Sequence, residues 1–114
     1  MKFPFVFIYR KLHVRGIALF PFIIFQNKIF TEDLVIMNHE RIHHRQQLEL
    51  LILPFYILYL LNYIRNRFIF PDHHTAYLNI IFEREAYAND MNLKYLKERK
   101  RFAFRFYIRK YRKR

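Results

Sequence analysis

His39, Glu40 and His43 fall in one short run, His39-Glu40-Arg41-Ile42-His43, and are the residues of this chain best equipped for chemistry. On a helix, positions four apart lie on one face one turn apart, so both imidazoles can reach a single ion. Neutral imidazole takes zinc at about 2.0–2.1 Å, and Glu40, beside the pair, is placed to act on water at the ion. The chain has no cysteine. Thiolate metal sites, disulfides and cysteine nucleophiles are therefore excluded, and a transition metal such as Zn2+ must be held by His, Asp or Glu.

Three protein ligands and one open position make a catalytic zinc site, so a third donor is required. Glu83, Glu85, Asp90, His73 and His74 are the candidates. Glu83 and Glu85 are two apart and point to nearly opposite sides of a helix, so only one of them can face the metal. Glu85 shares a face with Phe82, Ala88 and Asn89, and the small Ala86 and Ala88 would let two helices approach closely. That pattern favours Glu85, with Glu83 left on a solvated face beside Arg84. Hydrolysis would also need a donor to a developing oxyanion, and Tyr87, His73, His74 and Tyr77 are the available polar groups. His13 and His44 receive no role; His44 directly follows a ligand, points about 100° away and is expected at the surface.

These residues must be positioned by a fold of the α+β class, mainly helical. Phe3 to Tyr9 and Ile17 to Phe25 are short runs rich in Phe, Ile and Val, which predict two strands of an antiparallel N-terminal hairpin. Pro4 and Pro21 mark these strands as edges or bulged, because proline cannot donate to a ladder. Thr31-Glu32-Asp33 is a helix start, and the first helix is expected to run to about Leu53, where Pro54 ends it. Val35, Ile36, Ile42, Leu50 and Leu53 would form its apolar stripe, with His39, His43 and Gln46 in the middle. Such polar groups on a buried seam need partners, which a metal would supply. A second, very apolar helix is predicted over 55–67 and a third from about Ile80 to Lys100, after a connection through Phe70-Pro71-Asp72-His73-His74.

With 114 residues, 54% of them apolar and 20% aromatic, the chain suits one packed domain and excludes disorder as its main state. Domain 1–101 is expected as a minimal metallopeptidase-like unit, followed by a basic aromatic tail over 102–114. From Lys94 onward eleven Lys and Arg face a single acid, Glu98, and account for most of the net charge of +12. A tail mixing Phe102, Phe104, Phe106, Tyr107, Ile108 and Tyr111 with bases suits an anionic membrane surface or, less well, single-stranded nucleic acid. The apolar stretch Leu50 to Ile64 is short, broken by Pro54 and preceded by Glu49, so it reads as a core hairpin or a segment lying in a bilayer surface. It tips the balance towards membrane. The N-terminus lacks a long apolar region followed by a cleavage site, so no cleaved signal peptide is expected. The expected location is cytoplasmic, peripheral at the inner face of the membrane.

The run His39-Glu40-x-x-His43-x-x-Gln46, followed by Glu85-x-x-Ala88-Asn89, resembles the gluzincin metalloproteases. It is most similar to their single-domain members, the minigluzincins, and to membrane-associated zinc peptidases with an E-x-x-A-D helix. The resemblance covers roughly residues 17–96. It implies His39 and His43 as zinc ligands, Glu40 as general base and acid, and Glu85 as third ligand. It also implies that the strand before the metal helix pairs with a peptide or protein substrate in extended form. The chain departs from the pattern at Asn89, where an Asp is usual, so a carboxylate orienting a ligand histidine would be replaced by an amide. The expected function is zinc-dependent peptide hydrolysis. The alternatives are an inactive zinc-binding domain that captures a peptide or partner, and a basic nucleic-acid- or ribosome-associated protein.

Overall fold

The computed structural model describes residues 4–108, and its fold is α+β. Three short strands come first: β1 (Phe5–Ile8), β2 (Gly16–Leu19) and β3 (Phe22–Phe25). Five helices follow: α1 (Leu34–Glu49), α2 (Leu53–Ile69), α3 (His73–Leu78), α4 (Ile81–Asn89) and α5 (Tyr95–Glu98). Two 3₁₀ segments, Lys28–Glu32 and Ala103–Tyr107, precede α1 and follow α5.

The expected two-stranded hairpin is a three-stranded sheet in the order β1-β3-β2. The run Ile17 to Phe25 is not one strand: it reverses at Phe20-Pro21, where proline has no N–H for a ladder, and β2 folds back antiparallel on β3. That reversal turns β3 round, so β1 pairs with it in parallel, Phe5 opposite Phe22 and Ile8 opposite Phe25. Ala18, Ile23 and Phe25 are buried, as the two-residue period of a half-covered sheet requires. β2 is an edge, and α1 packs beside it: Gln47 accepts from Phe20 N (2.7 Å) and donates to Ala18 O (2.8 Å).

α1 starts two residues later than Thr31 suggested. Asp33 is its cap, accepting from Val35 N at 3.0 Å and Ile36 N at 3.1 Å, while Thr31 donates to Lys28 O inside the preceding 3₁₀ segment. Pro54 sits in the first turn of α2, where its missing N–H costs nothing. Between α1 and α2, Leu51 (φ 63°) and Ile52 (φ 65°) have a positive φ, which side chains, β-branched ones above all, resist. Among the described residues no single helix is long and apolar enough to cross a membrane; α1 and α2 qualify only as a pair, and they are bent by 113°.

The third helix predicted from about Ile80 to Lys100 is two, α4 and α5, and α3 begins at His73, inside the expected connection. Asp72 caps α3 by accepting from Thr75 N (2.9 Å). α4 stops at Asn89 because the carbonyls beyond it are used elsewhere: Asn38 of α1 donates to Asp90 O (2.8 Å) and Asn92 O (3.1 Å). The aromatic core gathers Phe55, Ile80 and Phe82 with Tyr59, Tyr77 and Phe104 around them. Phe104 stands edge-on to Phe82 at 5.0 Å and Ala103 is buried, so the fold runs on past residue 101 through Ile108 rather than giving way to a tail at 102. Residues 109–114 of the expected tail lie outside the described residues.

Candidate metal centre

α1 and α4 pack side by side, and the imidazoles of α1 meet a carboxylate of α4 in the interior. That carboxylate belongs to Glu83. Its Oε1 is 3.1 Å from His39 Nε2 and 3.1 Å from His43 Nε2. All three residues are buried, and their ligand atoms lie within 4.8 Å of one another. A tetrahedral ion with ligands at about 2.0–2.1 Å holds them about 3.3 Å apart, close to the two nitrogen-to-oxygen distances here.

The hydrogen bonds behind the rings explain why the cluster calls for a cation. His39 Nδ1 lies 3.0 Å from Asp90 Oδ2, and His43 Nδ1 lies 2.8 Å from Gln46 Oε1. The Gln46 amide is oriented by its other end, which donates to Phe82 O (3.1 Å) and Glu85 Oε1 (2.9 Å), so the end facing His43 is an acceptor. Each Nδ1 therefore carries a proton, and each ring turns its Nε2 on Glu83. Three acceptors converge, and only a proton or a metal ion relieves them. In the metal-free chain a proton does so: burial pulls His43 down, but the Glu83 carboxylate outweighs it and raises the imidazole to about 9. Glu83 is held below the usual carboxylate range, since both imidazoles outweigh the burial that opposes its charge. Its second oxygen accepts from Tyr59 OH at 2.6 Å.

Glu40 is buried next to this group, and burial raises its pKa against the opposing pull of His43 and His39. Gly16 of β2 passes close by. A methyl group there would come 3.4 Å from Glu40 Oε2 and 3.2 Å from the Phe25 ring, so the absence of a side chain lets the edge strand lie against Glu40. On the α4 side the Tyr87 ring stands edge-on to His39 at 4.4 Å, and its hydroxyl lies 3.2 Å from that of Tyr77. Burial raises both phenols, so both are protonated donors. His73 is engaged with Tyr63 OH (2.8 Å), away from the cluster, and His74 is exposed.

Glu85, the expected third ligand, faces the other way. Its carboxylate takes Nε of Arg99, accepts from Tyr95 OH (2.6 Å) and from Gln46, and shares Arg99 with Glu49. The Arg99 and Glu85 side chains are fully buried. Arg99 is therefore an internal ion-pair partner rather than part of a solvated basic tail. Glu85 is bound to an arginine, while Glu83, expected on a solvated face, is 4% exposed. Glu83-x-x-Ala86 spells the same E-x-x-A pattern two residues earlier, with Ala86 fully buried.

The departure at Asn89 also reads differently. Asn89 donates to Glu85 O (2.8 Å) and Tyr107 OH (2.9 Å) and does not support a ligand. Asp90, the next residue, supplies a carboxylate to His39 Nδ1 in its place. Glu83 and Asp90 are seven apart, two helical turns, and that spacing is the signal by which both could have been found. His44 is buried rather than exposed: its Nε2 donates to Phe22 O (2.8 Å), and desolvation keeps the ring neutral. It ties α1 to the sheet, as Gln47 does.

Comparison of the chain with protein-family models, with curated proteins and with solved structures finds no match. The functional reading rests on the residues and their geometry.

Proposed function

We propose that this chain is a zinc-dependent peptide hydrolase of minimal size, with His39, His43 and Glu83 holding the ion and Glu40 moving the proton. The observation that supports the reading is the convergence of two buried imidazole Nε2 atoms on one carboxylate oxygen, each at 3.1 Å. Zinc held there would act as a Lewis acid and bring the pKa of water at its open position towards about 7.

The chain's own groups then divide the work. Glu40, with a pKa raised by burial, accepts a proton from the attacking water and returns it to the leaving amine. Asp90 and Gln46 keep the ligand rings in the Nδ1–H form with Nε2 aimed inward. The Tyr77–Tyr87 pair supports the oxyanion role, because both hydroxyls stay protonated and Tyr87 is half-exposed beside His39. An extended substrate would run past Gly16, where β2 brings its backbone close to Glu40.

The test is zinc stoichiometry by elemental analysis together with cleavage of a peptide library. The parent should bind one zinc and hydrolyse peptides. Glu40→Gln should keep the zinc and lose about 10²-fold or more of the activity, the scale of general acid–base catalysis. A Glu40→Gln protein that cleaves as fast as the parent would overturn the assignment, and zinc binding without turnover in the parent would identify an inactive metal-binding domain.

A further inference from the structure

The α2 helix is amphipathic in the wrong sense for a helix facing water. Its inner face carries the polar groups: Tyr59 donates to Glu83, Asn62 accepts from Ile81 N (2.8 Å), and Asn66 donates to Ala76 O (3.0 Å). Its outer face is apolar. Leu53, Ile57, Leu60, Leu61, Ile64 and Phe68 are exposed by between 43% (Ile64) and 88% (Phe68). At 100° per residue these six fall in an arc about 100° wide, and the stripe is about 22 Å long. No Asp or Glu occurs between Glu49 and Asp72. Arg65 and Arg67 flank the arc on its two sides in the last turns of the helix.

We propose that this outer face of α2 docks in the interfacial layer of an anionic bilayer, with the helix lying along the surface. An apolar stripe of this length, unbroken by any polar side chain, suits acyl chains better than a protein partner. Protein interfaces place hydrogen-bonding groups among their apolar contacts, and this stripe has none. Flanking arginines suit lipid phosphates, since long basic side chains bury their stems and keep their charge at the headgroup level. The net charge of +12 is attracted by an anionic surface and opposes a second copy of the same chain. The helix lies on the layer and does not cross it: its 17 residues span less than the ~30 Å of a hydrocarbon core, and its inner face is committed to the protein. Leu51, 79% exposed just before α2, extends the apolar surface. This inference is independent of catalysis, and Glu40→Gln should leave it unchanged.

The test is flotation of the full chain with vesicles of phosphatidylcholine, with and without phosphatidylglycerol. The parent should float with the anionic vesicles and bind the neutral ones about tenfold or more weakly. The double substitution Ile57→Glu and Leu61→Glu should lower partitioning at least about tenfold while leaving circular dichroism and zinc content intact. Because the chain has no cysteine, a single Leu60→Cys labelled with a solvatochromic dye gives a second readout that adds no charge. Its emission should shift to the blue on anionic vesicles, whereas the same dye at Arg41→Cys on α1 should not respond. Failure of the parent to float, flotation of the double variant equal to the parent's, or no response at Leu60 would each overturn the proposal. So would a lipid-free dimer that dissociates on the double substitution.

Discussion

Helices α1 and α2 are neighbours in the chain and opposite in logic. The residues that α1 buries are polar apart from Ile42, whereas α2 buries little besides Phe55 and Asn66 and turns its leucines and isoleucines outward. Burying amides and imidazoles is costly unless every one finds a partner. Here they do: Asn38 holds the end of α4, His44 and Gln47 hold the sheet, and Gln46 links His43 to Glu85. Among the described residues no buried side-chain nitrogen or oxygen lacks a hydrogen bond. The comparison separates two uses of an unfavourable surface. α1 keeps polar groups inside, where each finds a partner, and α2 keeps apolar groups outside, the face proposed above to meet a bilayer.

The sharpest way to break this contrast is to remove the carboxylate at the centre. Glu83→Ala should weaken zinc binding by about 1000-fold, about 4 kcal/mol, measured by competition with a chromophoric chelator. The same substitution at residue 85 should spare most of the affinity. The reverse result would return Glu85 to the metal.

Next in size is Arg99. It sits between Glu49 and Glu85 with a fully buried side chain, and removing one partner of such a group leaves the others charged and unpaired. Arg99→Met should cost about 3–5 kcal/mol of stability in urea unfolding. A loss below about 1 kcal/mol, the worth of a surface pair, would show that the clasp does not hold α4 in its rotation.

Asp90→Asn should lower zinc affinity by about 10–100-fold with little change in fold, the usual effect of altering the group behind a ligand histidine. Protons offer a related check. His43, raised to about 9 in the metal-free chain, is mostly charged at pH 7, so zinc binding there should release close to one proton. Calorimetry in two buffers of different ionisation enthalpy measures it. The sign for stability follows from the same shift. A folded pKa above the usual 6.5 stabilises the metal-free chain below that value, and the contribution fades as pH rises through about 9. Glu83, held low, contributes above its usual 4.5 and loses that contribution in acid. The metal-free melting temperature should therefore fall between pH 6.5 and 9.

The smallest effect belongs to the outer face of α2. Leu60→Ser removes an exposed side chain with no buried contact to lose, so stability in lipid-free buffer should change by less than about 0.5 kcal/mol. A large loss would mean that the stripe is covered by protein even without lipid.

Much of this arrangement was legible beforehand. The HExxH helix, an E-x-x-A helix and the α+β class follow from local rules of periodicity and backbone chemistry, whereas the first helix ends at Glu49, short of the expected Leu53, and Pro54 lies inside α2. The errors share a cause. Helical spacing says that Glu83, Ala86 and Asp90 lie on one face and Phe82, Glu85 and Asn89 on another, but both faces of α4 are covered. One meets the imidazoles of α1, and the other meets Arg99 and Tyr107, which arrive from later in the chain. The sheet shows the same thing: β-propensity marks Ile17 to Phe25 as extended, yet only the reversal at Pro21 makes β3 central and β1 its parallel neighbour.

The sequence by itself determined the donors and their spacing: two imidazoles one turn apart, an acid between them, and no thiol to compete. These are covalent and helical facts that no packing can change. Tertiary structure alone decided which of two carboxylates, two residues apart, turns to the rings. The rotation of α4 about its axis is set by partners distant in sequence, and a fully buried arginine that must be neutralised claims Glu85 and leaves Glu83 to face the imidazoles.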